Sequence, residues 1–144
     1  MKRFVFDLEP VLEIRQIKEE QAIMELGRAI SELTGIQNKI KQIAAFRSKA
    51  MQERFSDNSI KNSSMVNWDN YIGRLDLDTE ILMEEAVKAE LIVEQKRKLY
   101  FEASKNLQIM EDLKKDDEKS YKKKAAVKEA QEMEELRRKV EGRR

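Results

Sequence analysis

Hydrophobic residues recur from Leu8 to Ile43 at alternating steps of four and three residues. Such steps average about 3.5 residues, which is typical of a helix that winds around a partner helix. A single helix with one apolar stripe is marginal in water, because the stripe has nothing to bury against. This first seam therefore predicts a partner. Its positions are Leu8, Leu12, Arg15, Glu19, Ala22, Leu26, Ala29, Leu33, Ile36, Ile40 and Ile43.

A second seam with the same spacing begins at Trp68 and ends at Met110. Between the two seams, residues 56–64 are rich in Ser, Asn and Asp, which favour turns. This stretch is predicted to be a loop, with Ser63 or Ser64 as the cap of the following helix. The second seam comprises Trp68, Ile72, Leu75, Thr79, Leu82, Ala86, Ala89, Val93, Lys96, Tyr100, Ala103, Leu107 and Met110.

Two seams of similar length joined by a short loop predict an all-α fold, a long two-helix antiparallel coiled-coil hairpin. We expect a single domain over residues 1–144, with helix one at about 8–55 and helix two at about 65–140. Asp7 is a candidate cap for helix one, and Pro10 then falls in its first turn, where a missing N–H is tolerated. Pairing of two chains in a homodimer is the alternative for the same seams.

The heptad pattern weakens from about residue 111. Lys114, Asp117 and Lys124 occupy positions where apolar residues are expected, although the helix propensity stays high. We expect a charged helical extension that outlasts its partner helix, frays at its end and becomes ordered by binding. A solvated helix that has no partner fits the same pattern.

Composition and charge argue against nucleic-acid binding and membrane insertion. Hydrophobic and charged residues each make up 40% of the chain, and the net charge is only +1. The basic clusters Lys122–Lys124 and Arg143–Arg144 alternate with acidic residues, so little positive charge is left for phosphates, and nucleic-acid binding is not expected. No apolar run reaches the roughly 20 residues that span a bilayer, so we expect no membrane insertion. The first residues lack the apolar core of a leader peptide.

Catalysis is not expected either. The chain has no Cys and no His, which excludes thiolate nucleophiles, imidazole acid–base chemistry and Cys/His zinc sites. Asp and Glu on solvated helix faces lack the burial that tunes a carboxylate for acid–base work. The glycines are isolated and form no phosphate-binding loop. We therefore predict a non-enzymatic protein without cofactor or metal.

Two stretches of the chain carry motifs beyond the heptad spacing. From Phe4 to Ala22 the sequence is F-x-F-x-L-x-x-V-L-x-x-R-x-x-x-E-x-x-A, and from Asn67 to Leu75 it is N-W-x-x-Y-I-x-x-L. Both stretches resemble the FliJ family, whose members are components of the bacterial flagellar type III export apparatus. The resemblance implies a stalk-like coiled coil, similar to the central stalk of rotary ATPases. It implies three partners: the export ATPase hexamer, the membrane-embedded export gate and substrate chaperones.

The resemblance also implies where these partners bind. The gate would contact Ile43 and Phe46 on helix one and Tyr71 and Leu75 on helix two. The ATPase would contact the terminal end of the hairpin, near Arg15 and Glu19. The protein would be cytoplasmic, held at the cytoplasmic membrane through the apparatus, with a role in motility and chemotaxis. Alternatives are a general coiled-coil chaperone, a scaffold of another assembly, and the injectisome counterpart.

Overall fold

Two long helices make up nearly all of the structure, a computed structural model that describes residues 3–56 and 62–143. Helix α1 spans Glu9–Ser56 and helix α2 spans Asn62–Gly142. The two helices pack against each other, and no strand occurs within the described ranges. The predicted all-α two-helix hairpin is therefore confirmed.

The helix ends differ from the prediction by a few residues. Helix α1 begins at Glu9, whose amide donates to the carbonyl of Phe6 (3.1 Å), and Pro10 lies in its first turn as expected. Asp7 lies in the turn before the helix rather than next to its first residue.

Helix α2 begins at Asn62, three residues before the expected start. The backbone of Ser63 and Ser64 is already helical, so the prediction that one of them caps the helix was wrong. Most of the predicted loop, residues 57–61, lies outside the described residues.

The chain divides into two compact units, each built from parts of both helices. One unit is Ala22–Tyr100, and the other combines Met1–Gln21 with Phe101–Arg144. We call them the central unit and the terminal unit. The single domain expected over 1–144 stays a prediction.

In the central unit the predicted seams coincide with the buried positions. Every seam position from Ala22 to Ile43 and from Trp68 to Tyr100 is buried or half-buried. Ion pairs across the helices run in opposite chain directions: Glu25 pairs with Lys96 (3.1 Å), and Arg47 pairs with Asp76 (2.7 Å). The helices of this unit are thus antiparallel, as predicted.

The terminal unit contains a core that the heptad pattern alone does not describe. Phe6 and Leu12 pack with Leu107 and Met110, each less than a tenth exposed, and Phe4 and Val11 pack against this cluster. Phe6 precedes α1 and is not helical. Residues 3–8, which we call the N-terminal strap, thus contribute an aromatic side chain to the core.

The charged part of α2 is covered further than expected. Lys114 pairs with Glu9 (2.9 Å), and the Tyr121 ring lies 5.5 Å from the Phe4 ring. Side chains remain half-buried as far as Ala125, whereas those of residues 126–143 are all exposed. A charged extension from about residue 111 that outlasts α1 stays a prediction, but side chains of α2 are covered as far as Ala125 rather than solvated from there on. Phe4 and Phe6 of the strap, which precedes the first residue of α1, pack against this part of α2.

Candidate functional site

The central unit carries an open groove of about 460 Å³ near the ends of α1 and α2 that flank residues 57–61. We call it the aromatic groove. Its α1 side chains recur at helical spacing along one face, and its α2 side chains do the same. The lining residues are Phe46, Lys49, Ala50, Glu53, Asn67, Trp68 and Tyr71.

The shape of the groove follows from a small residue placed among large ones. Ala50 is only 2% exposed, so its methyl group is covered by neighbouring atoms even though the residue lines the groove. Trp68 is half-buried, and its ring meets that of Tyr71 edge to face at 6.3 Å and 73°. Phe46 and Tyr71 are 46% and 36% exposed. The groove therefore presents aromatic surface to solvent.

Two ion pairs join the helices in the same region. Arg47 Nε donates a hydrogen bond to Asp76 Oδ1 at 2.7 Å. Arg54 Nε lies 3.0 Å from Asp69 Oδ1, but its N–H is not directed at that oxygen, so this contact is an ion pair without a hydrogen bond. Exposed pairs of this kind stabilise a protein by less than about 1 kcal/mol.

The structure brings together two of the four residues assigned to the gate contact. Phe46 and Tyr71 both line the aromatic groove. Leu75 is 7% exposed and Ile43 is half-buried, and both occupy the seam. Trp68, predicted as the first residue of the second seam, also lines the groove, and that place was not predicted. The feature of the sequence that could have indicated this place is a bulky aromatic residue at a seam position of helix two, combined with the small residue Ala50 on helix one.

The two residues assigned to the ATPase contact belong to the terminal unit. Arg15 and Glu19 are half-buried on the seam of α1, one helical turn apart. Neither forms an ion pair with another described residue. Two charges on a seam reduce stability relative to apolar residues, and such charges are retained in coiled coils for register or for contact with a partner.

The described residues present two exposed surfaces, the aromatic groove and the end of α2. Within residues 3–56 and 62–143, no three Asp or Glu side chains are placed to hold a metal ion. Over the same ranges, neither helix includes a stretch long and apolar enough to cross a lipid bilayer. The aromatic groove and the exposed end of α2 are suited to contacts with other proteins.

One protein family matches the chain over both helices. The sequence model of that family, described as Flagellar FliJ protein, matches residues 4–141 of the 144 residues. No curated protein and no solved structure matches the chain. The matched range includes residues 4–8 of the N-terminal strap, the aromatic groove and residues 126–141 of the exposed end of α2. The chain therefore belongs to the FliJ family, whose members are non-catalytic components of the flagellar export apparatus.

Proposed function

We propose that this protein is a stalk-like coiled coil that links the export ATPase hexamer to the export gate and assists in handling substrate chaperones. It acts through contact alone, in the cytoplasm, and is held at the cytoplasmic membrane by the export apparatus. Family membership supports the setting in flagellar export. The observation that carries the linking role is the aromatic groove of the central unit.

The aromatic groove supports a contact with the gate because its apolar surface is already formed. Aromatic residues in well-packed pockets dominate the binding energy of many protein interfaces. Here the half-exposed rings of Phe46 and Tyr71 lie beside Trp68, and their backbones are fixed by two regular helices. In this proposal, Leu75 and Ile43 support the groove from the seam. A partner segment that enters the groove meets a preorganised surface, which lowers the entropic penalty of binding.

The terminal unit supports a contact with the ATPase. Residues 126–143 of α2 are helical, and all their side chains are exposed. They include five basic and five acidic residues, a mixed surface that suits specific charge pairing rather than general attraction to anions. We propose that this segment and the half-buried pair Arg15 and Glu19 contact the ATPase.

The gate contact is tested by the substitution Phe46→Glu. A charge in the aromatic groove should weaken binding to the purified cytoplasmic part of the gate protein by about tenfold or more, as for an interface hot spot. Helicity should be retained, because Phe46 is 46% exposed. The matched control is Phe55→Glu, at a phenylalanine of the same helix that is 76% exposed and does not line the groove.

Calorimetry on both variants separates the outcomes. Unchanged gate binding by Phe46→Glu would remove the groove from the proposal. Equal losses in the two variants would point to a general effect of added charge.

The ATPase contact is tested with a chain that ends at Ala125. The side chains of residues 126–143, which this chain lacks, are all exposed, so its unfolding midpoint should match that of the full chain. The affinity of the shortened chain for the ATPase should fall. The double substitution Arg15→Ala and Glu19→Ala in the full chain should also lower the affinity for the ATPase, because it removes a different part of the proposed contact. Surface plasmon resonance with immobilised ATPase gives both values. If the shortened chain binds as tightly as the full chain, the ATPase contact lies elsewhere.

A further inference from the structure

Helix α2 exposes a row of branched aliphatic side chains on its outer side. Leu77, Ile81, Val87 and Leu91 are 59%, 56%, 58% and 62% exposed. They form two pairs spaced four residues apart, so the members of each pair are neighbours on the helix surface. The seam residues of this stretch, such as Ala89, are buried towards α1. The exposed row is therefore separate from the coiled-coil seam.

The neighbouring part of α1 shows that this exposure is not a general property of a two-helix unit. Residues 25–47 of α1 lie alongside residues 76–96 of α2, as the pairs Glu25–Lys96 and Arg47–Asp76 establish. Ile30 and Phe46, near the two ends of this range, are 42% and 46% exposed, but between them, within residues 31–45, no large hydrophobic residue is exposed. The solvent-facing side of α1 is polar there, whereas that of α2 is not.

Negative charge surrounds the aliphatic row. Residues 76–92 include six acidic residues and one basic residue, Lys88. Among the described residues, only Asp76 of the six takes part in an ion pair. This local charge repels nucleic acids and anionic lipids and attracts basic protein segments over about 10 Å. The acidic residues are Asp76, Asp78, Glu80, Glu84, Glu85 and Glu90.

We propose that residues 76–92, the acidic face, bind a basic amphipathic helix of a partner protein. Apolar residues of that helix, spaced three and four apart, would cover the aliphatic row, and flanking Lys or Arg would pair with the surrounding carboxylates. The row from Leu77 to Leu91 is about 20 Å long at about 1.5 Å per residue, which suits a partner helix of about four turns. This surface is distinct from the aromatic groove and from the contacts proposed for the ATPase.

A synthetic peptide tests the acidic face. The probe is a fluorescent peptide of about 20 residues with leucines at steps of three and four and lysines on the flanks. Its binding to the full chain is followed by anisotropy at low and high salt. Binding should weaken about tenfold or more in the double variant Leu77→Ser and Leu91→Ser, as for loss of two interface anchors. Added salt should weaken binding to the unmodified chain, because lysine–carboxylate pairs are screened.

Two control variants and a control probe test whether the peptide binds to the acidic face and not elsewhere on the chain. The double variant Ile23→Ser and Ile30→Ser removes two exposed aliphatic side chains of α1, 49% and 42% exposed, and should bind the probe like the unmodified chain. Phe46→Glu, which alters only the aromatic groove, should also bind normally, so this result is independent of the gate contact. A probe with glutamates in place of lysines should not bind.

Three outcomes would overturn the proposal. These are equal probe affinity in the acidic-face variant and the unmodified chain, equal affinity for the glutamate probe, and probe binding that does not respond to salt. The acidic face could instead be covered by a second copy of this chain, and sedimentation at about 50 µM measures whether the chain self-associates. If the unmodified chain self-associates and the acidic-face variant does not, the face is a self-association surface and the proposal fails.

Discussion

The central and terminal units each contain parts of α1 and α2, but α2 is packed differently in the two units. In the central unit, helix packs on helix, and each predicted seam position from Trp68 to Tyr100 is buried or half-buried. In the terminal unit, the first turns of α1 still contribute Leu12 to the core, but α2 continues past the start of α1 beside a strap that is not helical, where Phe4 and Phe6 take the place of a helical seam. A regular heptad seam distributes its burial over many small contacts. A strap concentrates burial in two aromatic rings, so the terminal unit should depend on fewer residues.

The largest expected effect is at Phe6. The substitution Phe6→Ala removes a ring that is 5% exposed and opens a cavity against Leu107 and Met110. We expect the free energy of unfolding to fall by about 3 kcal/mol, as for other buried phenylalanines. Urea unfolding followed by circular dichroism measures the change, and hydrogen exchange should speed up in residues 101–125. A loss below about 1 kcal/mol would mean that the strap is not part of the core.

A smaller effect is expected in the central unit at Ala50, which is 2% exposed. The substitution Ala50→Leu adds three carbon atoms to a filled seam and should lower the free energy of unfolding by about 2 kcal/mol through overpacking. The fluorescence of Trp68, the one tryptophan, should change as well, because both residues line the groove. Ala45→Leu, at an exposed position of α1, is the control and should be nearly neutral. If Ala50→Leu is also neutral, the seam can absorb added volume.

These two sites also mark what the sequence could and could not predict. Spacing of apolar residues identified the seam, because burial in a coiled coil depends on position along the heptad. It did not identify the aromatic groove, which depends on how Ala50 and Trp68 differ in size across the seam. Nor did it reveal the covering of residues 114–125. Phe4 and Phe6 are not helical, so helical periodicity carries no information about what they contact.

The acidic face was missed for a related reason. Leu77 and Leu91 lie off the seam, and a heptad search treats off-seam residues as solvated. Only the exposed fractions show that these side chains are left uncovered by α1. Sequence periodicity thus predicts which positions meet the known partner helix, and it says little about the surfaces left for other partners.

The smallest expected effect comes from shortening α2 in two steps, which locates the end of the strap's influence. A chain that ends at Ser120 loses the ring of Tyr121, 5.5 Å from that of Phe4, and should lose about 1 kcal/mol of stability relative to a chain that ends at Ala125. The chain that ends at Ala125 should be as stable as the full chain. Parallel urea unfolding of the three chains gives both differences.

The two stability differences, from the full chain to Ala125 and from Ala125 to Ser120, show which residues stabilise the terminal unit. A loss only between Ala125 and Ser120 means that the strap secures α2 through Tyr121 and that the remaining residues are free for a partner. A loss already at Ala125 would mean that the exposed residues 126–143 support the fold through helix propagation alone. Equal stability of all three chains would leave Phe6, and not the Phe4–Tyr121 contact, as the residue by which the strap holds α2.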